Sequence, residues 1–254
     1  MPSAPVLAAP PGECCFKTVQ HTGTPVGTWE HVGGMDTYIA YPPTRQKRYE
    51  SVVLFFSDVY GSLYINNQLL IDYFASHGYL VLGPDYFEGD PIFKHRGVEP
   101  DFDTNAWIEP KRKRAYELLP PWIEAVKAKY GAQQTKYAAV GYCFGARTCL
   151  TRASDWLAAG AIAHPAFLTE DHFQHLKQPL LLSCAEIDHT FPLNSRRRAE
   201  DILIARGADY HFQVFGKVAH GFAVRGDPAV PEQKWAKEES ARGIVAWFDR
   251  FCKA

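Results

Sequence analysis

One cysteine stands between two glycines in the run Gly141-Tyr142-Cys143-Phe144-Gly145. Residues 136–140, which precede this run, are typical of a strand, and residues 144–153 continue as a helix. This is the G-x-S-x-G pattern with cysteine in place of serine, and it needs small flanking residues because the strand-to-helix turn is sharp. The pattern predicts an exposed Cys143 thiol at the edge of a sheet and makes it a candidate nucleophile. A buried core cysteine between ordinary glycines is the competing interpretation.

Two later apolar segments end in residues that could assist this thiol. Residues 180–187 lead to Asp188, and residues 214–219 lead to His220. The chain order of nucleophile, acid and histidine is that of α/β-hydrolases rather than of chymotrypsin-like or subtilisin-like chains. Taken singly, an aspartate in a solvated loop and a structural histidine are the ordinary interpretation. Three such residues in order, each just past an apolar strand, favour a catalytic triad.

Strand-like and helical patterns alternate along the chain, which predicts a mostly parallel sheet with helices on both faces. Strands are predicted at residues 36–41, 51–56, 79–83, 136–140, 160–163, 179–184 and 209–215, and helices at residues 66–77, 111–130, 144–153, 193–206 and 233–251. We expect a single domain over residues 1–254, with an irregular N-terminal extension at residues 1–22. Residues 86–110 are predicted to be an irregular connection that forms a pocket wall or a lid.

Five motifs of the chain resemble those of the dienelactone hydrolase family, particularly its fungal branch. They are Gly141-Tyr142-Cys143-Phe144-Gly145, Glu186-Ile187-Asp188-His189-Thr190-Phe191-Pro192, Ala219-His220-Gly221-Phe222-Ala223, Phe56-Ser57-Asp58-Val59-Tyr60-Gly61 and Pro84-Asp85-Tyr86-Phe87-Glu88-Gly89-Asp90-Pro91. The resemblance covers most of the chain from about Gly23 onward. It implies an α/β-hydrolase fold, and a Cys-His-Asp triad that opens lactones or related activated esters without a metal or an organic cofactor.

Composition and charge narrow the range of partners. The chain has 254 residues, of which 46% are hydrophobic, and its net charge is −1. A net charge so close to zero gives no electrostatic attraction to nucleic acid or to an anionic membrane. The basic residues 111–114 are expected to form a solvated helix face. The six cysteines lack the spacing of a disulfide scaffold or of a metal motif. We therefore expect a cytoplasmic protein with a small-molecule substrate, either a monomer or a homodimer.

The proposed chemistry requires an activated thiol and two fixed donors for the oxyanion. A free thiol is mostly protonated at neutral pH, so it needs activation. The positive end of the helix that begins near Phe144 could supply it, as could His220 acting as a base or as an imidazolium partner, while Asp188 would fix the tautomer of that histidine. One oxyanion donor is by geometry the backbone N–H of Phe144, the residue after the nucleophile. The family resemblance places the second donor at the backbone N–H of Val59.

Asp58 and Arg225 are further candidates, for contact with the thiol and with the substrate. Asp58 matches the glutamate that contacts the resting thiol in the bacterial members of the family, although it is one methylene shorter. Arg225 stands five residues after His220, where the bacterial enzymes have their arginine at four, and their second substrate-binding arginine falls here at Gly89. These departures weaken the case for a small acidic dienelactone. Alternatively, Asp58 could simply cap the turn that follows it.

The predicted pocket is rich in aromatic side chains near strand ends, although each of them could equally be a packing residue. The substrate-binding candidates are Tyr60, Phe87, Trp107, His164, Phe191 and Phe222. We expect a cysteine hydrolase that opens a lactone, an activated ester or a thioester through a thioacyl intermediate. Two alternatives remain open: a tailoring enzyme that uses the same triad for cyclisation or acyl transfer, and a ligand-binding protein without turnover.

Overall fold

The computed structural model describes residues 4–12, 18–151 and 156–253, which contain ten strands. The strands are β1 (Val6–Ala8), β2 (Thr28–Val32), β3 (Met35–Ala40), β4 (Ser51–Phe56), β5 (Leu80–Pro84), β6 (Lys136–Tyr142), β7 (Ala159–Ala163), β8 (Leu168–Thr169), β9 (Leu180–Ile187) and β10 (Tyr210–Ala219). Eight of them form one sheet in the order β10-β9-β7-β6-β4-β5-β3-β2. The neighbouring strands from β10 to β5 pair in parallel. Strand β3 pairs antiparallel with β5, and β2 pairs antiparallel with β3.

Seven α-helices are described between these strands. They are α1 (Ile65–Ser76), α2 (Thr104–Tyr130), α3 (Ala146–Thr151), α4 (Glu170–Gln174), α5 (Leu193–Ala205), α6 (Phe222–Arg225) and α7 (Pro231–Cys252). Short 3₁₀ turns lie at Ile92–Lys94 and Cys143–Gly145. A mostly parallel sheet with crossover helices confirms the predicted α/β-hydrolase fold.

Strand β4 shows how the sheet separates two hydrophobic cores. All six of its residues are buried. Because side chains alternate across a strand, Val52 and Leu54 join one core cluster, together with residues of α2 and α5. Val53 and Phe55 join the other cluster, with residues of α1 and α7. Helices therefore cover both faces, which is why a continuous apolar run, rather than an alternating one, marked this strand in the sequence.

Helix α2 begins earlier than the sequence predicted. The connection was expected to stay irregular to residue 110, but the helix starts at Thr104. The carboxylate of Asp103 accepts hydrogen bonds from the N–H groups of Asn105 at 2.9 Å and Ala106 at 3.1 Å, which caps the first turn. Pro110 lies within this long helix. The irregular connection is therefore shorter, and it contains a 3₁₀ turn.

The N-terminal extension is more ordered than expected. Strand β1 pairs antiparallel with β8, which makes a second, two-stranded sheet. Just after β1, Ala9 donates its N–H to the carbonyl of Thr190 at 2.7 Å and accepts from the N–H of Phe167 at 3.2 Å. Cys14 and Cys15, for which the sequence suggested no role, lie outside the described residues. This segment thus packs against the loop that follows β9.

The carboxyl ends of the parallel strands converge at one edge of the sheet. The turn after β6 carries Cys143, the loop after β9 carries Asp188, and the end of β10 leads to His220. The loop after β4 carries Asp58 and Val59, and β7 ends beside His164. Ligands of open α/β sheets collect at this edge. The strand order therefore explains how residues far apart in the sequence come to share one site.

Candidate active site

The turn that carries Cys143 has the geometry of the glycine-flanked pattern. Cys143 has a φ of 47°, in the left-handed region that residues with a side chain rarely adopt. A Cβ on Gly141 would lie 2.5 Å from the carbonyl oxygen of Gly145, and a Cβ on Gly145 would collide with the carbonyl oxygen of Phe56. Larger residues at either glycine would therefore force the turn apart. Strain of this kind is typical of functional turns.

The thiol is not exposed, which corrects the expectation from the sequence. Cys143 has no solvent-accessible surface and belongs to the same core cluster as Tyr86, Phe87 and Phe144. The rings of Phe87 and Phe144 lie 5.1 Å apart, and Trp107 stacks on Phe87 with the ring centroids 5.4 Å apart. The loop after β5 and the start of α2 therefore close over the turn in this structure.

Asp188 and His220 form a buried hydrogen-bonded pair. Oδ1 of Asp188 lies 2.9 Å from Nδ1 of His220, and both side chains are almost fully removed from solvent. Burial alone would raise the pKa of Asp188, but the hydrogen bonds and charge of His220, with a hydrogen bond from Thr190, lower that pKa to about 2. The carboxylate is therefore ionised at neutral pH, and it orients the imidazole with Nε2 directed away from the acid.

Thr190 is a residue of this site that the sequence reasoning missed. Its hydroxyl donates to Oδ1 of Asp188 at 2.8 Å and lies 3.0 Å from Nδ1 of His220, and its N–H donates to the same carboxylate oxygen at 2.9 Å. The hydroxyl also lies 2.8 Å from the carbonyl oxygen of Pro165. A threonine two residues after an aspartate is a common turn signal that could have suggested it.

The segment after β7 connects the cysteine turn to the acid loop. The N–H of Ala166 donates to the carbonyl of Cys143 at 3.1 Å, while the carbonyl of the preceding Pro165 faces the Thr190 hydroxyl. Ala166 therefore contacts the candidate nucleophile, while its neighbour Pro165 contacts Thr190, which hydrogen-bonds to the candidate acid. This arrangement fixes the spacing between the two parts of the site.

The two predicted oxyanion donors lie in different loops. Phe144 follows Cys143 at the start of a helical segment, where the first N–H groups have no partner within the helix. Within the described part of the chain, the N–H of Val59 has no acceptor, while its carbonyl accepts from the N–H of Ile92 at 3.1 Å. Both residues are buried. The positions are compatible with the predicted role.

Asp58 and Arg225 meet in a buried ion pair. Oδ2 of Asp58 contacts Nη1 of Arg225, and neither side chain is more than 2% exposed. The other carboxylate oxygen accepts from the N–H of Tyr60 and from Nδ2 of Asn67, both at 3.1 Å. The guanidinium lies 5.0 Å from the centroid of the Tyr60 ring. Asp58 therefore forms an ion pair with Arg225 and also accepts a hydrogen bond within its own turn. After Thr190, Asn67 is the second supporting residue that the sequence did not suggest.

The remaining aromatic candidates fall into two groups. Phe222 lies near the candidate base His220, with its ring 5.9 Å from that of His164, which in turn is 4.9 Å from the His220 ring. Phe191 contributes differently, because its ring stacks on Phe173 while its N–H donates to Asp188 at 3.1 Å. Phe191 therefore supports the acid through its backbone.

A cavity of about 240 Å³ reaches His220 from outside. Its lining includes Arg225 and Phe222 together with Thr18 and Val19 of the N-terminal segment. A larger cavity of about 690 Å³ lies beside β3 and the loop after β5, and none of the predicted site residues line it. We regard the smaller cavity as part of the site because it alone of the two contacts the histidine.

One group of side chains at the site could hold a metal ion. Ligand atoms of Asp188, His189 and His220 all lie within 4.8 Å of one another. His189 is exposed, and its Nε2 lies 3.1 Å from the N–H of Gly12, which donates to it. A metal ion would have to compete with the bond between Asp188 and His220.

Comparison with known proteins identifies the family of this chain. The family model described as "Dienelactone hydrolase family" matches residues 35–252. The chain belongs to the dienelactone hydrolase family. It is 39% identical to dienlactone hydrolase 1 of Gibberella moniliformis over 251 residues, which cover 96% of this chain and 95% of that protein. It is also similar to the carboxymethylenebutenolidase homolog of Xenopus tropicalis, at 26% identity over 84% of this chain and 87% of that one.

A solved structure supports the same fold for this family member. The putative dienelactone hydrolase from Klebsiella pneumoniae superposes with a TM-score of 0.66 at 18% identity, covering 85% of this chain and 93% of the other. As a dienelactone hydrolase family member, the chain is a hydrolase that acts on ester bonds. No helix among the described residues is long and apolar enough to cross a membrane.

Proposed function

We propose that the chain hydrolyses a lactone, an activated ester or a thioester through a covalent bond to Cys143, with His220 as base and Asp188 as its orienting acid. The observation that carries the proposal is the buried 2.9 Å hydrogen bond between Asp188 and His220. It occurs at the same sheet edge as a strained cysteine turn between two glycines that cannot be enlarged. Nucleophile, base and orienting acid in this order are the elements of acyl transfer.

In the first half of the reaction, the Cys143 thiol gives its proton to Nε2 of His220, and the sulfur bonds to the substrate carbonyl carbon. The carbonyl oxygen becomes an oxyanion, which the N–H groups of Phe144 and Val59 would stabilise. The intermediate then collapses, and the bond to the leaving atom breaks; this atom is the ring or alkoxy oxygen, or the sulfur of a thioester substrate, and it takes the proton from His220. A thioester on Cys143 and a free hydroxyl or thiol group result.

In the second half, water attacks the thioester carbon and passes a proton to His220. The carbon–sulfur bond breaks, the sulfur recovers its proton from His220, and a carboxylic acid leaves. No oxidant, metal or organic cofactor is needed to balance either half. We propose that none takes part, in agreement with the resemblance.

The ion pair bears on the substrate class. Arg225 is already engaged by Asp58, so a substrate carboxylate would have to break a buried pair to reach it. The rings of Tyr60, Phe87 and Trp107 add apolar surface near the same edge. We therefore propose a substrate that is larger or less charged than a small dienelactone acid.

The buried thiol requires the site to open before a substrate can react. The loop of residues 86–103 is the candidate for this movement, because Phe87 at its start covers Phe144. The movement would have to break the 2.8 Å ion pair between Asp90 and Lys111 of α2. This opening is part of the proposal. Trp107, on the first turn of α2, stacks on Phe87, so it would either move with the loop or limit how far the loop moves.

The test is intact-mass analysis after incubation with a panel of 4-nitrophenyl esters and lactones. The wild-type chain should gain the mass of one acyl group, with a burst of nitrophenol, and Cys143→Ala should gain none and lose turnover. Undiminished turnover by Cys143→Ala would refute the proposal. Acylation followed by transfer to an acceptor other than water, seen by product mass, would favour a tailoring enzyme. Tight binding without any acylation would favour a binding protein.

A further inference from the structure

His164 is a buried polar residue beside the triad that the proposed chemistry does not use. It follows the last residue of β7, it has no exposed surface, and its φ is 35°. Neither ring nitrogen forms a hydrogen bond with another described residue. The ring packs edge to face against His220, with the centroids 4.9 Å apart and an interplanar angle of 66°.

An unpaired imidazole in this position is costly. Burial of a polar group without a hydrogen bond destabilises the folded protein, and an apolar ring of similar size would pack at the same place without that cost. Burial also holds the pKa of His164 well below its usual range, so the ring stays neutral and keeps one N–H donor and one acceptor nitrogen. Buried groups of this kind in a native protein call for a specific partner.

The position of β7 in the sheet indicates where that partner would come from. β7 lies between β6, which carries Cys143, and β9, which carries Asp188. A group attached to Cys143 and approached by His220 therefore has His164 as a neighbour. The acyl part of the substrate is the only component that must occupy this space in both halves of the proposed reaction.

We propose that the ring N–H of His164 donates a hydrogen bond to an oxygen carried by the acyl group, one or two atoms from the reacting carbonyl. The substrate class would then be lactones or esters whose acid part bears an ether, hydroxyl or oxo oxygen near the carbonyl. This inference rests on the function proposed above, and it adds a selectivity that the triad alone does not explain.

The test uses two esters that differ by one atom, 4-nitrophenyl methoxyacetate and 4-nitrophenyl butanoate. An ether oxygen in the first takes the place of a methylene in the second, and the leaving group is the same. The quantity measured is the ratio of kcat/KM for the two esters in the wild type, His164→Phe and His164→Gln. Differences in intrinsic reactivity cancel, because each ratio is compared with that of the wild type.

We expect His164→Phe to lower the ratio about fivefold, the value of one hydrogen bond, because only the methoxyacetate carries an oxygen at that position to accept it. His164→Gln, which keeps an N–H donor, should retain an intermediate ratio. The melting temperature of His164→Phe should be equal to or above that of the wild type, because an unpaired polar group is removed. If His164→Phe fails to fold, the ratio for His164→Gln against His164→Leu provides the same comparison.

An unchanged ratio in a folded His164→Phe protein would overturn the inference. An equal loss on both esters would overturn it as well, because the residue would then act by positioning His220 rather than by contacting the substrate. If the wild-type chain forms no acyl adduct with either ester, the proposed function itself fails. That result is distinguishable because it appears in the wild type before any His164 variant is compared.

Discussion

Two buried carboxylates flank the candidate site, and they differ in the partner that each one holds. Asp58, after β4, contacts the guanidinium of Arg225, whose charge is permanent. Asp188, after β9, bonds the imidazole of His220, which can gain and lose a proton near neutral pH. Both carboxylates also accept hydrogen bonds from nearby backbone N–H groups.

The difference indicates a division of roles. The pair of Asp58 and Arg225 keeps the same charges throughout a reaction cycle, so it contributes mainly to holding the loop of Val59 against α6. The pair of Asp188 and His220 changes its charge state whenever the imidazole accepts a proton. Asp188 should therefore matter most for rate, and Asp58 most for stability.

The largest expected effect is on turnover. Asp188→Asn removes the charge that stabilises the imidazolium and favours the wrong tautomer of His220, so kcat should fall about 10⁴-fold. The measurement is steady-state hydrolysis of a 4-nitrophenyl ester, with circular dichroism to verify folding. Asp58→Asn in the same assay is the matched control. The proposed division of roles fails if Asp58→Asn lowers kcat as far as Asp188→Asn.

The next effect is on the free energy of unfolding. Asp58→Asn removes the negative charge from a buried ion pair, which should cost about 3–5 kcal/mol in urea unfolding at pH 7. The double variant Asp58→Asn/Arg225→Gln removes both charges and should recover part of this loss. Equal stability of the single variant and the wild type would contradict the view that this pair holds the fold.

The sequence predicted the strands and turns around this candidate site better than the contacts that support its side chains. β4 was predicted with the bounds that the structure has, because five apolar residues in succession after Ser51 are typical of a strand covered on both faces. The glycines around Cys143 and the order of Asp188 and His220 are local signals that need no tertiary information. Their placement at one edge of the sheet then followed from the parallel strands.

The contacts that support the candidate site join segments that are far apart in the chain. The role of Thr190 involves the carbonyl of Pro165, 25 residues away, and no local pattern encodes that distance. The pairing of Asp58 with Arg225 likewise brings together two loops. Burial of the Cys143 thiol was only the competing interpretation of the sequence, because it depends on how Phe87 packs over the turn.

A smaller effect concerns the free energy of unfolding at acidic pH. The folded-state pKa of Asp188 is about 2, against about 3.9 in an unfolded chain, so the group stabilises the fold above pH 4 by about 2–3 kcal/mol. This contribution is lost as the pH falls from about 4 towards 2, because the unfolded state binds the proton first. The check is urea unfolding at pH 5 and pH 3. Asp188→Asn should lack this part of the acid loss, and an identical loss in the variant would contradict the assignment.

The smallest effect tests the support of the acid. Thr190→Val removes a hydroxyl that donates to Asp188 at nearly unchanged side-chain volume, so unfolding should become about 1 kcal/mol easier. The pKa of Asp188 should rise, because one of the hydrogen bonds that lower it is gone. Thr190→Ser keeps the hydroxyl and serves as the control. If Thr190→Ser weakens the protein and Thr190→Val does not, the methyl group rather than the hydroxyl is what stabilises this position, and the contrast between the two carboxylates then rests on their partners alone.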